Sequence, residues 1–168
     1  GGHTAEMLRL IRWLDYQNIY RRRTYFVTDT DRASADKARN FEAQLNQADS
    51  SYTIETIPRS REVGQTWLST PVSVARTFYT AFPLLYQKTP DLLLTNGPGS
   101  CVPLVTSCLL LQVFGLKAPS IIYVESFARV KSLSLTGRLL YPLVDRFIVQ
   151  WPGLIDRFPR AEYHGCLV

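Results

Sequence analysis

Short apolar segments alternate with longer stretches of helical periodicity along this chain. Thr24–Thr28 (TYFVT) is rich in β-branched and aromatic residues and ends at Asp29. Ser51–Ile57 alternates and stops at Pro58, and Asp91–Thr95 (DLLLT) runs into Asn96-Gly97. Ser120–Val124 (SIIYV) runs into Glu125, and Arg146–Gln150 (RFIVQ) into Trp151-Pro152. Helical patterns fill the intervals at Ala5–Gln17, Ala33–Asn46, Thr70–Gln87, Pro103–Phe114 and Thr136–Leu143. Strand followed by helix, repeated, predicts an α/β fold: a Rossmann-like parallel sheet with helices on both faces. The continuous apolar character of DLLLT and SIIYV places them centrally. With no internal repeat, low-complexity segment or linker, residues 1–168 read as a single domain.

Composition narrows the class. Hydrophobic residues make up 46% of the 168 and charged residues 20%, enough for a folded core. Cys101, Cys108 and Cys166 show no metal or disulfide spacing, which points to a reducing compartment. Cys101–Leu116 is the nearest approach to a membrane span, but it is too short and is interrupted by Pro103 and Gln112, so it reads as a buried helix. A net charge of +5 suits anionic company or an ordinary basic surface alike.

In an open parallel sheet, ligands bind beyond the carboxyl ends of the strands. The segments expected there are polar, charged or glycine-rich. Gly1-Gly2-His3-Thr4 opens a helix, as a glycine-rich turn does when it accepts an anion, or as a plain strand-to-helix turn does. Such a turn follows a strand, so the first strand of the sheet is expected ahead of Gly1. Asp29 and Asp31 suit sugar hydroxyls or a base, with an N-cap favoured for one of the pair. Arg59 and Arg61 form either a phosphate grip or a solvated loop. Asn96-Gly97-Pro98-Gly99-Ser100 is a second glycine-rich turn. Glu125 is expected to face the crevice as a general base, or to pair with Arg129. No complete GxGxxG, Walker motif or metal cluster is present, His164 lies far from any candidate nucleophile, and nucleic-acid binding is disfavoured.

Taken together, GGHTAEMLRL, VTDTD, IPRSREVGQTW, DLLLTNGPGSCVP, YVESFARVKSLSLTGRLLYPLVDRFIVQWP and YHGCLV resemble one family over nearly the whole chain. It is the membrane-anchoring, acceptor-side subunit of the eukaryotic dolichol-linked UDP-GlcNAc transferase. A weaker similarity is to the acceptor domain of the bacterial GlcNAc transferase that makes the lipid-linked peptidoglycan precursor. The resemblance implies the N-terminal half of a GT-B glycosyltransferase, inactive alone. A separate donor-binding catalytic subunit would hold most of the UDP-GlcNAc contacts, at the cytosolic face of the endoplasmic reticulum membrane. It implies inverting transfer to a lipid-diphosphate-GlcNAc acceptor, with no essential metal or cofactor. In the family a hydrophobic anchor and first strand precede the glycine-rich turn, and neither lies within this sequence.

By motif, His3 and Glu125 become catalytic candidates, and Asp31 is the third. Gly1, Gly2, Thr4, Asp29, Asn96, Gly97, Gly99 and Ser100 would approach substrate, while Arg59, Arg61 and Arg129 would meet phosphate. The basic charge then suits a rim facing a diphosphate in an anionic membrane. Two competing readings are a non-catalytic scaffold for the catalytic subunit and an enhancer subunit of a bacterial capsule glycosyltransferase.

Overall fold

The computed structural model describes residues 2–45, 51–60 and 70–168. Helix α1 (Gly2–Ile11) leads, followed by β1 (Arg22–Thr28), α2 (Arg32–Leu45) and β2 (Ser51–Ile57). Then come α3 (Thr70–Lys88), β3 (Leu92–Asn96), α4 (Cys101–Val113) and β4 (Ser120–Val124). The chain closes with α5 (Leu135–Leu140), β5 (Arg146–Val149) and β6 (Ala161–Tyr163).

Strand pairing is parallel throughout, as the alternation predicts. The strands fall into two sheets among the described residues: a pair, β1-β2, and a four-stranded sheet in the order β3-β4-β5-β6. A cavity of about 1210 Å³ separates β1 from β3 and is lined by both strands, by α1 and by the start of α4. Among the described residues the facing edges of β1 and β3 have no strand partner.

Helix α4 is the central helix. Its apolar residues lie all round, and Val105, Cys108 and Leu111 are fully buried against Ile121, Tyr123 and Phe147. Pro103 is tolerated because it lies in the first turn, where the missing N–H costs no helix bond. Cys101 and Cys108 are buried thiols, as expected of their apolar runs, whereas Cys166 is exposed. No helix among the described residues is long and apolar enough to cross a membrane.

Some boundaries differ from the sequence expectation. Helix α1 stops at Ile11 instead of Gln17, because Asp15 accepts from the backbone N–H groups of Gln17 and Asn18 and closes a turn. Helix α5 ends at Leu140, just ahead of Tyr141-Pro142. Ala161–Tyr163 forms a short strand, β6, unforeseen because three residues around an acidic one carry no apolar run.

Candidate active site

Each strand-to-helix junction opens on the same end of its sheet, which brings distant segments of sequence together. Helix α1 starts there, and His3 and Glu6, three residues apart, share one of its faces. The His3 ring lies against the turn after β3. A Cβ built on Gly97 would fall 2.2 Å from His3 Cε1 and 2.3 Å from Nδ1. Gly97 also has a φ of +75°, a left-handed conformation. The backbone therefore favours glycine there, and the ring occupies the space where a side chain would begin. The buried Asn96 amide donates to the His3 carbonyl at 2.8 Å, which fixes the two turns to each other. Half of the His3 side chain remains open to solvent.

Glu6 links this pair to the loop after β4. Its Oε1 accepts from the Ser126 hydroxyl at 2.9 Å. Its Oε2 is buried without a hydrogen-bond partner and lies 3.8 Å from His3 Nδ1. In the sequence, Glu6 looks like a solvated residue, as a glutamate early in a helix does. The spacing from His3 was the signal available.

Glu125 does not face the crevice as expected. It is 1% exposed. Oε1 accepts from Ser126 N at 3.0 Å, and Oε2 from Ser134 N at 2.9 Å and Ser134 Oγ at 3.1 Å. Ser134 in turn caps α5 by accepting from Gly137 N at 2.9 Å. The carboxylate holds the 125–134 loop to α5, and its partners are serines rather than Arg129. The physical reason is that a strand-end carboxylate surrounded by free backbone and hydroxyl donors is better solvated by them than by a pairing with an exposed guanidinium. Tyr123, beneath it, has its hydroxyl pushed well up, mainly by burial and then by the neighbouring Glu125 charge.

The same loop is pinned from β5. Gln150 Nε2 donates to the Glu125 carbonyl at 3.0 Å, while Gln150 Oε1 accepts from Leu167 N at 3.3 Å. Trp151 Nε1 donates to the Phe127 carbonyl at 2.7 Å, with the two rings 5.0 Å apart.

Asp31 is the N-cap of α2, the role favoured for one of the two aspartates. Its carboxylate accepts from Ser34 Oγ at 2.5 Å and from Ser34 N at 3.1 Å. The Ser34 hydroxyl bond is the main cause holding its pKa below the ordinary value. Ser34 also bonds the Thr4 hydroxyl at 2.6 Å, tying α1 to α2. Asp29 is exposed on the same rim, as are Gly2, Gly99, Arg59 and Arg129. Ser100 precedes α4 without a side-chain cap. Gly1 and Arg61 lie outside the described residues.

The basic residues do not collect on this rim. Arg59, Arg129 and Lys131 are exposed there, but Lys88, Lys117 and Arg146 stand at the opposite end of the strands, paired with Glu55, Asp91 and Glu162. The net charge therefore does not mark the site.

Known proteins share both the sequence and the fold. The chain is similar to a human UDP-N-acetylglucosamine transferase subunit ALG14, 46% identical over 173 residues, covering all of this chain and 79% of the relative. A mouse protein of the same description is 47% identical over 178 residues, with the same coverage. One from Yarrowia lipolytica is 43% identical over 168 residues, covering all of this chain and 77% of the relative. Among solved structures, Acinetobacter baumannii MurG superposes with a TM-score of 0.65 at 16% identity, over 99% of this chain and 42% of MurG. That likeness concerns the fold. The family described as "Oligosaccharide biosynthesis protein Alg14 like" matches residues 1–167, and the chain belongs to that family.

Proposed function

We propose that this chain is the acceptor-side subunit of a heteromeric UDP-N-acetylglucosamine transferase. It adds a GlcNAc to a lipid-diphosphate-linked GlcNAc at the endoplasmic reticulum membrane, and a donor-binding partner subunit holds UDP-GlcNAc. The observation that carries the reading is the meeting of α1, the β3–α4 turn and the loop after β4 around His3. The relatives' description as transferase subunits supports it.

His3 is the base in this reading. Its ring is half open, whereas the Glu125 carboxylate is enclosed by serine donors and the Asp31 carboxylate caps α2. The acceptor hydroxyl gives its proton to an imidazole nitrogen as its oxygen attacks the anomeric carbon. The bond from that carbon to the UDP oxygen breaks, and UDP leaves with the electron pair. Arg59 and Arg129, exposed on the rim, would meet the acceptor diphosphate. No resident cofactor or metal enters this scheme.

The test is co-expression with the donor-binding subunit, followed by transfer from UDP-GlcNAc to a short-chain GlcNAc-diphosphate lipid. Activity from the pair and none from either chain alone is expected. An H3A complex that assembles and keeps full kcat would reduce this chain to a scaffold.

A further inference from the structure

We infer that Glu6 is a positioning residue for His3, orienting its ring and stabilising the imidazolium formed when His3 takes the acceptor proton. This rests on the reading of His3 as the base.

Three observations lead there. Glu6 Oε2 is a buried carboxylate oxygen without a hydrogen-bond partner. Such a group costs stability unless something in the working state repays it. Its near neighbour is His3 Nδ1, at 3.8 Å, one helical turn away on the same face. The second oxygen is already engaged. Ser126 Oγ donates to Oε1 at 2.9 Å, and Ser126 is itself buried at the end of β4. The carboxylate is thus held from behind, with its free oxygen directed at the ring.

The ring also lies against Gly97, and Asn96 holds the His3 backbone. A small rotation of the His3 side chain closes the 3.8 Å gap to a hydrogen bond. Contacts of this kind commonly tighten once substrate is bound. With Nδ1–H donated to Glu6, Nε2 carries the lone pair that accepts the hydroxyl proton. The positive charge that then appears on the ring lies next to the Glu6 carboxylate. The proton goes to Nε2 and is not passed on to Glu6.

Glu6→Gln tests this in the complex with the donor-binding subunit. The glutamine keeps an acceptor for Ser126 and removes the charge. The expected result is a kcat lowered roughly tenfold to a hundredfold, bounded by the loss in H3A. KM for UDP-GlcNAc and for the lipid acceptor should stay within about twofold, because only transition-state charge is affected. Melting temperature and co-purification with the partner should not move. The H3A/E6Q double variant should be no slower than H3A, since Glu6 acts through the ring.

E6Q with wild-type kcat beside an inactive H3A overturns the positioning role and leaves the base reading standing. H3A with full kcat overturns the base reading, and this inference with it. Losses that multiply in the double variant assign Glu6 a structural role instead. Glu6→Asp, which keeps the charge, provides the second arm. It should recover part of the lost kcat, and an E6D as slow as E6Q would count against the charge.

Discussion

A side chain at position 137 would begin where Glu125 Oε2 now lies: a Cβ on Gly137 falls 2.2 Å from that oxygen and 3.1 Å from Ser134 Oγ. Alanine ordinarily stabilises a helix interior relative to glycine by about 1 kcal/mol. Here the sign reverses. The carboxylate is fully buried and bonded to Ser126 and Ser134, so it cannot withdraw without leaving those donors unmet. G137A should lose roughly 2 to 3 kcal/mol, combining overpacking with broken charge-assisted bonds. Chemical denaturation measures it, and a stabilised G137A would show that the carboxylate can move aside.

Gly97 meets a different neighbour. The His3 ring against it is half exposed and can swing outward. G97A should therefore cost about 1 to 2 kcal/mol, mostly from the left-handed backbone. Its effect on kcat of the assembled enzyme should be larger than its effect on folding. In an H3A background the same substitution should lose only the backbone part, which a double-mutant cycle reads directly.

The pairing of β1 with α2 rests on a buried charge cluster. Arg23 Nε donates to Glu42 Oε1 at 2.7 Å and Arg23 Nη2 to Oε2 at 2.5 Å, while the Tyr25 hydroxyl donates to Oε1 at 2.5 Å. The Arg23 guanidinium also stacks 4.7 Å from the Tyr16 ring centre. Burial pushes the Tyr16 hydroxyl up to about 12, and burial with the Glu42 bond drives Tyr25 higher still. Glu42→Ala removes the carboxylate from a part-buried guanidinium that keeps its bonds to the Tyr20 and Arg21 carbonyls, and should cost about 2 to 3 kcal/mol. Replacing Arg23 and Glu42 together by leucine should cost less than E42A alone. A double replacement as damaging as the sum of the singles would refute the argument.

Glu162 sets an acid limit at the other end of the larger sheet. Hydrogen bonds from Arg146, and then from His164, hold its carboxyl down at about 2, against an ordinary value of 4.5. A lowered folded-state value means stabilisation that is complete above about pH 4.5 and is lost as pH falls toward 2. The pair is partly exposed, so solvent screening keeps the contribution small. Melting curves of the E162Q variant should lie below the parent at pH 6 and close on it as pH falls to about 2 and below. A gap that persists at low pH would point to a packing effect.

The parts of this fold that sequence revealed are those whose local chemistry is self-contained. Ser51–Ile57 and Ser120–Val124 were placed at their observed limits because a β-rich run stops at a residue that cannot continue it. Asp31 as a cap was legible from the helix pattern behind it. What stayed hidden depends on residues far apart in the chain. Glu6 meets Ser126 across 120 positions, and nothing local in GGHTAEM announces that contact. The burial of Glu125 was missed because its donors sit in a loop whose path is set by α5.

Gln150 spends both ends of one amide, giving its N–H to the carbonyl of Glu125 and taking an N–H from Leu167. The orientation is obligatory, since reversing the amide would set donor against donor and acceptor against acceptor. A single rigid side chain therefore works as a crossbar between the closing residues and the backbone that carries the 125–134 loop. Any force that draws Leu167 away from the sheet arrives first at Gln150, and one bond later at Glu125.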